Sequence, residues 1–478
     1  MTLVKGVADP LEKTAKLLAI LFITLLFLSA GADAPGQFYL KLGLGFVLLI
    51  LGLAIAHSDH GIYSTKSSSL ILFLCFVGFL FLRFLLALLI LLAGQSPARE
   101  IPMLLRFLSA PLGWSYALGL MAIGFVFFRL RKDVHRLLWA VSSLGFFLAI
   151  NAVPRLLMGG ATKEIVTGYL GPEGRMAFFF PIFYFRPWVE ELILSRAIHS
   201  NFAGDVIALG FFPSLGGFLY LLGRSFESKQ SVKIILLSLF ALFAGTMALA
   251  VTLLFSRGTI ICFALALLIY TVGILLKYPS NARFTAVGLA LALVFGFVFW
   301  GGNVPGMLNE LWTVPKEFQP EGGGSSLAIS LEGGRRAWAI YQDFPILGAG
   351  TGGYGALALK YATAGTDKMA LPDFTAMSHY LQLLAEEGAG ALFYFLFLLV
   401  YIVGTIRRLV RVHSGLQFLA GFSLFVPVVM ILLHASIHHL MEGFSVSSLV
   451  YLYIGASLGI LSQGFSHGRH HGHPHVSL

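Results

Sequence analysis

The feature that most constrains this chain is a succession of long, almost uncharged apolar runs. A helix needs roughly 20 apolar residues to cross a hydrocarbon core, and about twelve stretches of that order recur along the sequence. They fall at residues 14–31, 38–56, 70–93, 112–128, 137–153, 202–222, 232–255, 258–276, 284–300, 388–405, 416–434 and 445–462. Backbone in lipid must satisfy its own hydrogen bonds, so runs of this kind imply helices. The expectation is an all-α polytopic membrane protein. Composition agrees, since 58 % of the residues are hydrophobic and 11 % charged, against about a quarter charged in soluble chains. A water-soluble globular enzyme is excluded, and the 44 Phe residues exclude a disordered coil. Cys75 and Cys262 both lie in apolar runs, which leaves neither a disulfide framework nor a Cys-based metal site.

Basic residues in short connections orient such a bundle. Lys5, Lys13, Lys16, Lys66, Arg129, Arg131, Lys132 and Arg136 collect on one side, followed by Arg224, Lys229, Lys233, Lys277, Arg283, Arg407, Arg408 and Arg411. That side is the cytoplasm, and both termini face it. Four regions follow: spans 1–9 within residues 1–300, with an external segment at 154–201; a large external loop at 301–387 carrying amphipathic helices; spans 10–12 within 388–465; and a His-rich cytoplasmic tail at 466–478. Met176–Phe185 is apolar but too short to span, which suggests an interfacial or re-entrant piece. The formal charge of +10 therefore reports orientation rather than a nucleic-acid partner.

Basic residues on the opposite face need another explanation. Arg257 occupies a very short turn between two spans, Arg196 precedes a span containing Asp205, and Arg335 and Arg336 open an amphipathic stretch of the loop. His379 introduces Leu381-Gln-Leu-Leu-Ala-Glu386-Glu387, just before the tenth span. Guanidinium forks pair bidentately with phosphate oxygens and stay charged. A polyprenyl diphosphate would put its phosphates at this depth and its tail in the apolar body. A histidine could take the proton of an attacking hydroxyl. Together these parts suit glycosyl transfer, with arginines stabilising the departing diphosphate.

Plainer readings stand beside these. Arg257 could snorkel to lipid headgroups, His379 could cap a helix, and Glu386 and Glu387 could solvate a helix end. Arg83, in the middle of the third span, is costly in hydrocarbon and calls for a partner or a cavity. His434 and His438, one helical turn apart, form with His439 and Glu442 either part of a zinc site or a polar interhelical network. The network is favoured because no third ligand is positioned. Gly322–Gly324 and Gly348–Gly353 read as turns, since no strand precedes them as in a nucleotide loop.

Three segments resemble the bacterial O-antigen ligases and O-antigen polymerases, integral-membrane glycosyltransferases. They are Leu253-Leu-Phe-Ser-Arg257-Gly258-Thr, Phe344-Pro345-Ile-Leu-Gly348-Ala-Gly350, and Ser378-His379-Tyr-Leu-Gln382 through Gly390. A fainter match runs from Arg196 to Asp205, where relatives often carry Asn in place of the Asp. The resemblance covers mainly residues 196–405. It implies a GT-C-type bundle in the bacterial inner membrane, with a periplasmic active site and no metal or other cofactor. The donor would be a glycan on undecaprenyl diphosphate, the acceptor lipid A core or a growing glycan, and the transfer inverting.

By the same resemblance, His379 would activate the acceptor, and Arg257, Arg196 and Arg336 would hold the diphosphate. Arg335, Asp205 and Glu386 would support them. Ligase, polymerase and protein-glycosylating members share this donor chemistry, and the ligase reading is preferred on the Ser-Arg-Gly turn and the single His-led helix. A flippase for the same lipid-linked glycans is the competing class. The large external loop, the one-sided basic groups and the lack of an inverted repeat weigh against it.

Overall fold

The computed structural model describes residues 14–26, 44–45, 47–48, 68–93, 97–128, 131–159, 200–222, 230–253, 257–278, 326–362, 376–438 and 444–462. Every regular element among them is helical. In chain order, after a helical segment at Thr14–Leu26, these are α1 (Ser68–Ala93), α2 (Pro97–Phe127), α3 (Arg131–Gly159), α4 (Ser200–Leu222), α5 (Gln230–Leu253) and α6 (Arg257–Lys277). There follow α7 (Ser326–Asp343), α8 (Gly353–Leu357) with a 3₁₀ turn at Ala358–Tyr361, α9 (His379–Glu387), α10 (Gly390–Arg411), α11 (Gly415–His434) and α12 (Phe444–Ser462).

Seven of the described helices, α1, α3, α4, α5, α6, α10 and α11, are long and apolar enough to cross a membrane. Shorter apolar helices at Thr14–Leu26, Pro111–Phe127 and Val446–Ser462 fall within the first, fourth and twelfth expected spans. The span expected at 284–300 and most of that at 38–56 lie outside the described residues, as do Met176–Phe185 and the His-rich tail. The protein is an all-α polytopic membrane protein.

Lipid tails are as apolar as leucine, so helices in a bilayer associate through close packing and interhelical hydrogen bonds. Both are present. Phe73 and Phe76 of α1, Trp114 of α2, Tyr394 of α10 and Tyr451 of α12 form one aromatic cluster. Three pairs of buried hydroxyls meet across helices: Tyr394 Oη and Tyr451 Oη at 3.1 Å, Tyr401 Oη and Ser457 Oγ at 3.0 Å, and Tyr270 Oη and Ser423 Oγ at 3.0 Å. Tyr453 Oη donates to Leu209 O across α12 and α4 at 2.9 Å.

Helices α7, α8 and α9 build a second, smaller core from Ala337, Ile340, Tyr354, Ala358, Ala376 and Ala385. This unit joins the bundle through α9. The His379 N–H donates to Ala435 O at 3.0 Å and Tyr380 Oη donates to Leu432 O at 2.6 Å, both at the C-terminal end of α11. The described helices of residues 326–387 thus form a layer docked on one end of the bundle.

Candidate active site

Helix α9 is held at both ends, and each attachment follows from local chemistry. At its C-terminus, Gly388 takes a positive φ of 57° and Gly348 one of 68°. Side chains rarely tolerate that region, and here there is also no room. A Cβ on Gly348 would lie 2.2 Å from Glu386 O. The glycine turn can therefore strap itself onto the helix end, with Ala349 N–H donating to Ala385 O (2.9 Å), Gly350 N–H to Glu386 O (3.0 Å) and Ala389 N–H to Ile346 O (3.1 Å). The reading of Gly348–Gly353 as turns holds.

Arg83 closes this strap. Its Nη1 donates to Leu347 O at 2.9 Å and to Glu386 O at 2.8 Å, and its Nη2 lies 2.5 Å from Glu387 Oε2. The mid-span cation has the partner that its cost in hydrocarbon demands. A cation on the terminal carbonyls of α9 also complements the helix dipole. Glu386 and Glu387 do not solvate a helix end, contrary to the expectation above, because both are buried. The residues that bury them, Arg83 and the glycine turn, lie far away in sequence. Glu387 accepts from Thr351 Oγ1 at 3.2 Å, and Glu386 Oε1 accepts from Tyr354 N–H and Gln382 Nε2, each at 3.3 Å. Burial, with the neighbouring charge of Glu387, raises the Glu386 carboxyl to about 7.

At the N-terminus of α9 stands His379. It follows Met377, which holds a positive φ of 56°, uncommon for a residue with a side chain. The imidazole is buried, edge-on to Tyr394 at 6.1 Å, and its Nε2 has no hydrogen-bond partner among the described residues. Burial lowers its pKa to about 4, so the ring is neutral at physiological pH and can accept a proton.

Beside it lies a second histidine that sequence reasoning placed only in a generic network. His434, the last residue of α11, faces both carboxylate oxygens of Asp205 through Nδ1 at 3.0 Å, and both residues are fully buried. A Cβ on Gly258 would lie 2.5 Å from His434 Nε2. The Ser-Arg-Gly turn thus needs its glycine for close approach of the Asp205–His434 pair to the start of α6. The His438 ring is 5.8 Å from that of His434. Of the network expected above, His434 and His438 are thus neighbours, and His439 and Glu442 lie outside the described residues. Among the described residues no three His, Cys, Asp or Glu side chains are grouped to hold a metal ion.

The predicted arginines fare differently. Arg257 is the first residue of α6 and precedes Gly258, the glycine packed on His434. Arg196 lies outside the described residues. Arg336 is buried on α7, its Nε donating to Glu332 Oε1 at 2.9 Å. Arg335 is exposed and grips the same carboxylate at 2.7 and 2.9 Å, while also donating to Tyr361 O at 2.5 Å. The structure brings together Asp205, the start of α6, His379, Glu386, His434 and Arg83 at one end of the bundle. Arg335 and Arg336 sit in the docked layer above.

Fold and site together define a multi-pass helical membrane protein whose polar machinery is concentrated at one bundle end under a docked helical layer. The model of the O-antigen ligase family matches residues 240–396, from within α5 to the start of α10. This central region carries Arg257, the loop arginines, the glycine turn, His379 and Glu386, and over it the chain is similar to the O-antigen ligases. No curated protein matches the chain significantly.

Proposed function

We propose that the protein transfers a glycan from undecaprenyl diphosphate to an acceptor hydroxyl at the periplasmic face of the bacterial inner membrane, in the manner of an O-antigen ligase. The observation that carries this reading is the placement of a buried, neutral imidazole with an unsatisfied Nε2, His379, at the bundle end where α6 begins with Arg257. The acceptor oxygen attacks the anomeric carbon and its proton passes to His379. The anomeric C–O bond to the phosphate breaks, and undecaprenyl diphosphate leaves with inversion at that carbon. Arg257 and Arg196 bind the diphosphate and stabilise the charge that develops on it. Arg336 is the weakest of the three arginine candidates, because Glu332 already offsets its charge. Asp205 and His434 support the start of α6, and Glu386 supports the α9 strap.

The depressed basicity of His379 fits this scheme. A diphosphate bound nearby brings negative charge, which favours the imidazolium and raises the pKa from about 4. Proton acceptance is thereby coupled to donor occupancy. No step requires a metal ion or other cofactor, since the arginines supply the countercharge.

The test mixes purified protein, undecaprenyl-diphosphate glycan and separate acceptors. Product on lipid A core is the expected result. A ladder that remains on undecaprenyl diphosphate would replace the ligase reading with that of a polymerase of the same donor chemistry. Lipid moved unaltered across a vesicle bilayer, with no transfer, would refute the enzyme.

A further inference from the structure

The turn Phe344–Leu347 belongs by sequence to the large external loop, yet its contacts set it inside the spanning level of α1. Arg83 Nη1 reaches Leu347 O at 2.9 Å. Gly390, next to the Ala389 whose N–H bonds Ile346 O, packs so tightly on α1 that a Cβ there would lie 2.6 Å from the Phe79 ring. The apolar run of α1 extends over Ile71–Leu89. At roughly 1.5 Å per residue, Arg83 lies about 9 Å and Phe79 about 15 Å inside the Leu89 end of that run. The Arg83 contact and the neighbouring Gly390 contact both put the turn below the Leu89 end of that run.

The outer part of α1 is no water-facing stalk. Leu82, Leu85 and Leu89 are all more than half exposed on successive turns. Leaving such side chains in water forfeits roughly 1.5–3 kcal/mol each, so lipid must reach the level of Leu89, and the turn lies beneath that level. There Ile346 is 67 % exposed and Phe344 40 % exposed, with Pro345 exposed between them.

Much of the turn's backbone is hydrogen-bonded, as non-helical segments in lipid need. Phe344 N–H donates to Ile340 O and Gly348 N–H to Phe344 O, both at 3.0 Å. Ile346 O and Leu347 O are taken by Ala389 and Arg83, and Pro345 has no N–H to satisfy.

We propose that Phe344, Pro345 and Ile346 form a wedge inserted among the acyl chains of the bilayer, continuous with the lipid-facing side of α1, which anchors the α7–α9 layer to the membrane. The proposal stands independently of the glycan chemistry. It is tested in full-length protein in phospholipid nanodiscs, with Cys75→Ala and Cys262→Ala removing the native thiols. A nitroxide is attached at Ile346→Cys, with Leu82→Cys as the lipid-facing reference and Lys360→Cys as the aqueous one. Collision with oxygen, relative to collision with a water-soluble nickel chelate, should be several-fold higher at 346 than at 360 and should match position 82. The label at Phe344→Cys should give the same result, which covers the case in which the 346 variant fails to fold. A ratio at both positions matching Lys360 would overturn the proposal. So would suppression of both collisions, which would mean that protein, including a second copy of this chain, covers the turn.

Discussion

The two ends of the helix bundle use charge in opposite ways. At one end, lysines reach along the surface to the last carbonyls of neighbouring helices: Lys233 Nζ donates to Leu222 O at 3.3 Å and Lys277 Nζ to Val410 O at 3.1 Å. Lys16 and Asp133 pair there at 2.7 Å. At the other end Arg83, Asp205, Glu386, Glu387 and His434 are withdrawn from solvent and bound to one another or to backbone, and His379 is buried beside them. Peripheral lysines complement helix dipoles and cost little. Buried ions are expensive unless paired, so their accumulation at one end marks where the fold gives up stability for a defined arrangement. The lesson concerns the +10 charge: part of it sits peripherally on helix ends, and Arg83 is buried where it holds α9 in place.

Substitutions at the two ends should separate accordingly. The largest effect is expected at His379→Ala, where loss of a general base lowers transfer by about 10²- to 10⁴-fold while the purified protein keeps its thermal transition. Next comes Glu387→Ala. It strands Arg83 without its carboxylate, and breaking a buried pair costs about 3–5 kcal/mol, visible as a lower unfolding midpoint in detergent. Lys233→Ala at the opposite end, which loses only an ammonium contact to the Leu222 carbonyl, should cost about 1 kcal/mol or less. Equal losses from these two variants would abolish the distinction between the ends.

Gly258→Ala should cost about 1–3 kcal/mol, as overpacking does, because its Cβ displaces His434 from Asp205. Activity should fall with it, whereas Gly404→Ala, in open space on α10, should be silent. The pH dependence is smaller and directional. His379 titrates at about 4 in the free enzyme and works when neutral, so kcat/KM should hold at neutral pH and fall as pH drops through about 4. The corresponding limb of kcat should lie at higher pH, because the bound diphosphate favours the imidazolium. Smallest of all, Lys277→Ala should shift stability by about 0.3–1 kcal/mol and leave transfer unchanged.

Much of this was readable from the sequence because hydrophobic length and basic-loop asymmetry are local signals. Apolar runs located the spanning helices, and the order of the Ser-Arg-Gly turn, the glycine element and the His-led helix pointed to the region that the family model matches. Arg83 could be flagged as needing a partner from its position alone. Glu387 could not be named as that partner, because the pairing joins the third apolar run to a loop helix some three hundred residues away and no local pattern encodes it. Glu386 and Glu387 were misread for the same reason, since a helix end looks solvated until a remote strap covers it. The link from Gly258 to His434 and Asp205 also depends on three helices meeting. The isolated Asp in an apolar span and the histidine at the end of another were the only hints.

The most direct test of the central claim is single-turnover transfer by purified protein loaded with lipid-linked donor, with donor binding measured in parallel. If His379 performs the chemistry and Arg257 holds the diphosphate, His379→Ala will bind donor as the wild type does and yield no product, and Arg257→Ala will lose donor binding itself. Product formed by His379→Ala at the wild-type rate would contradict the account.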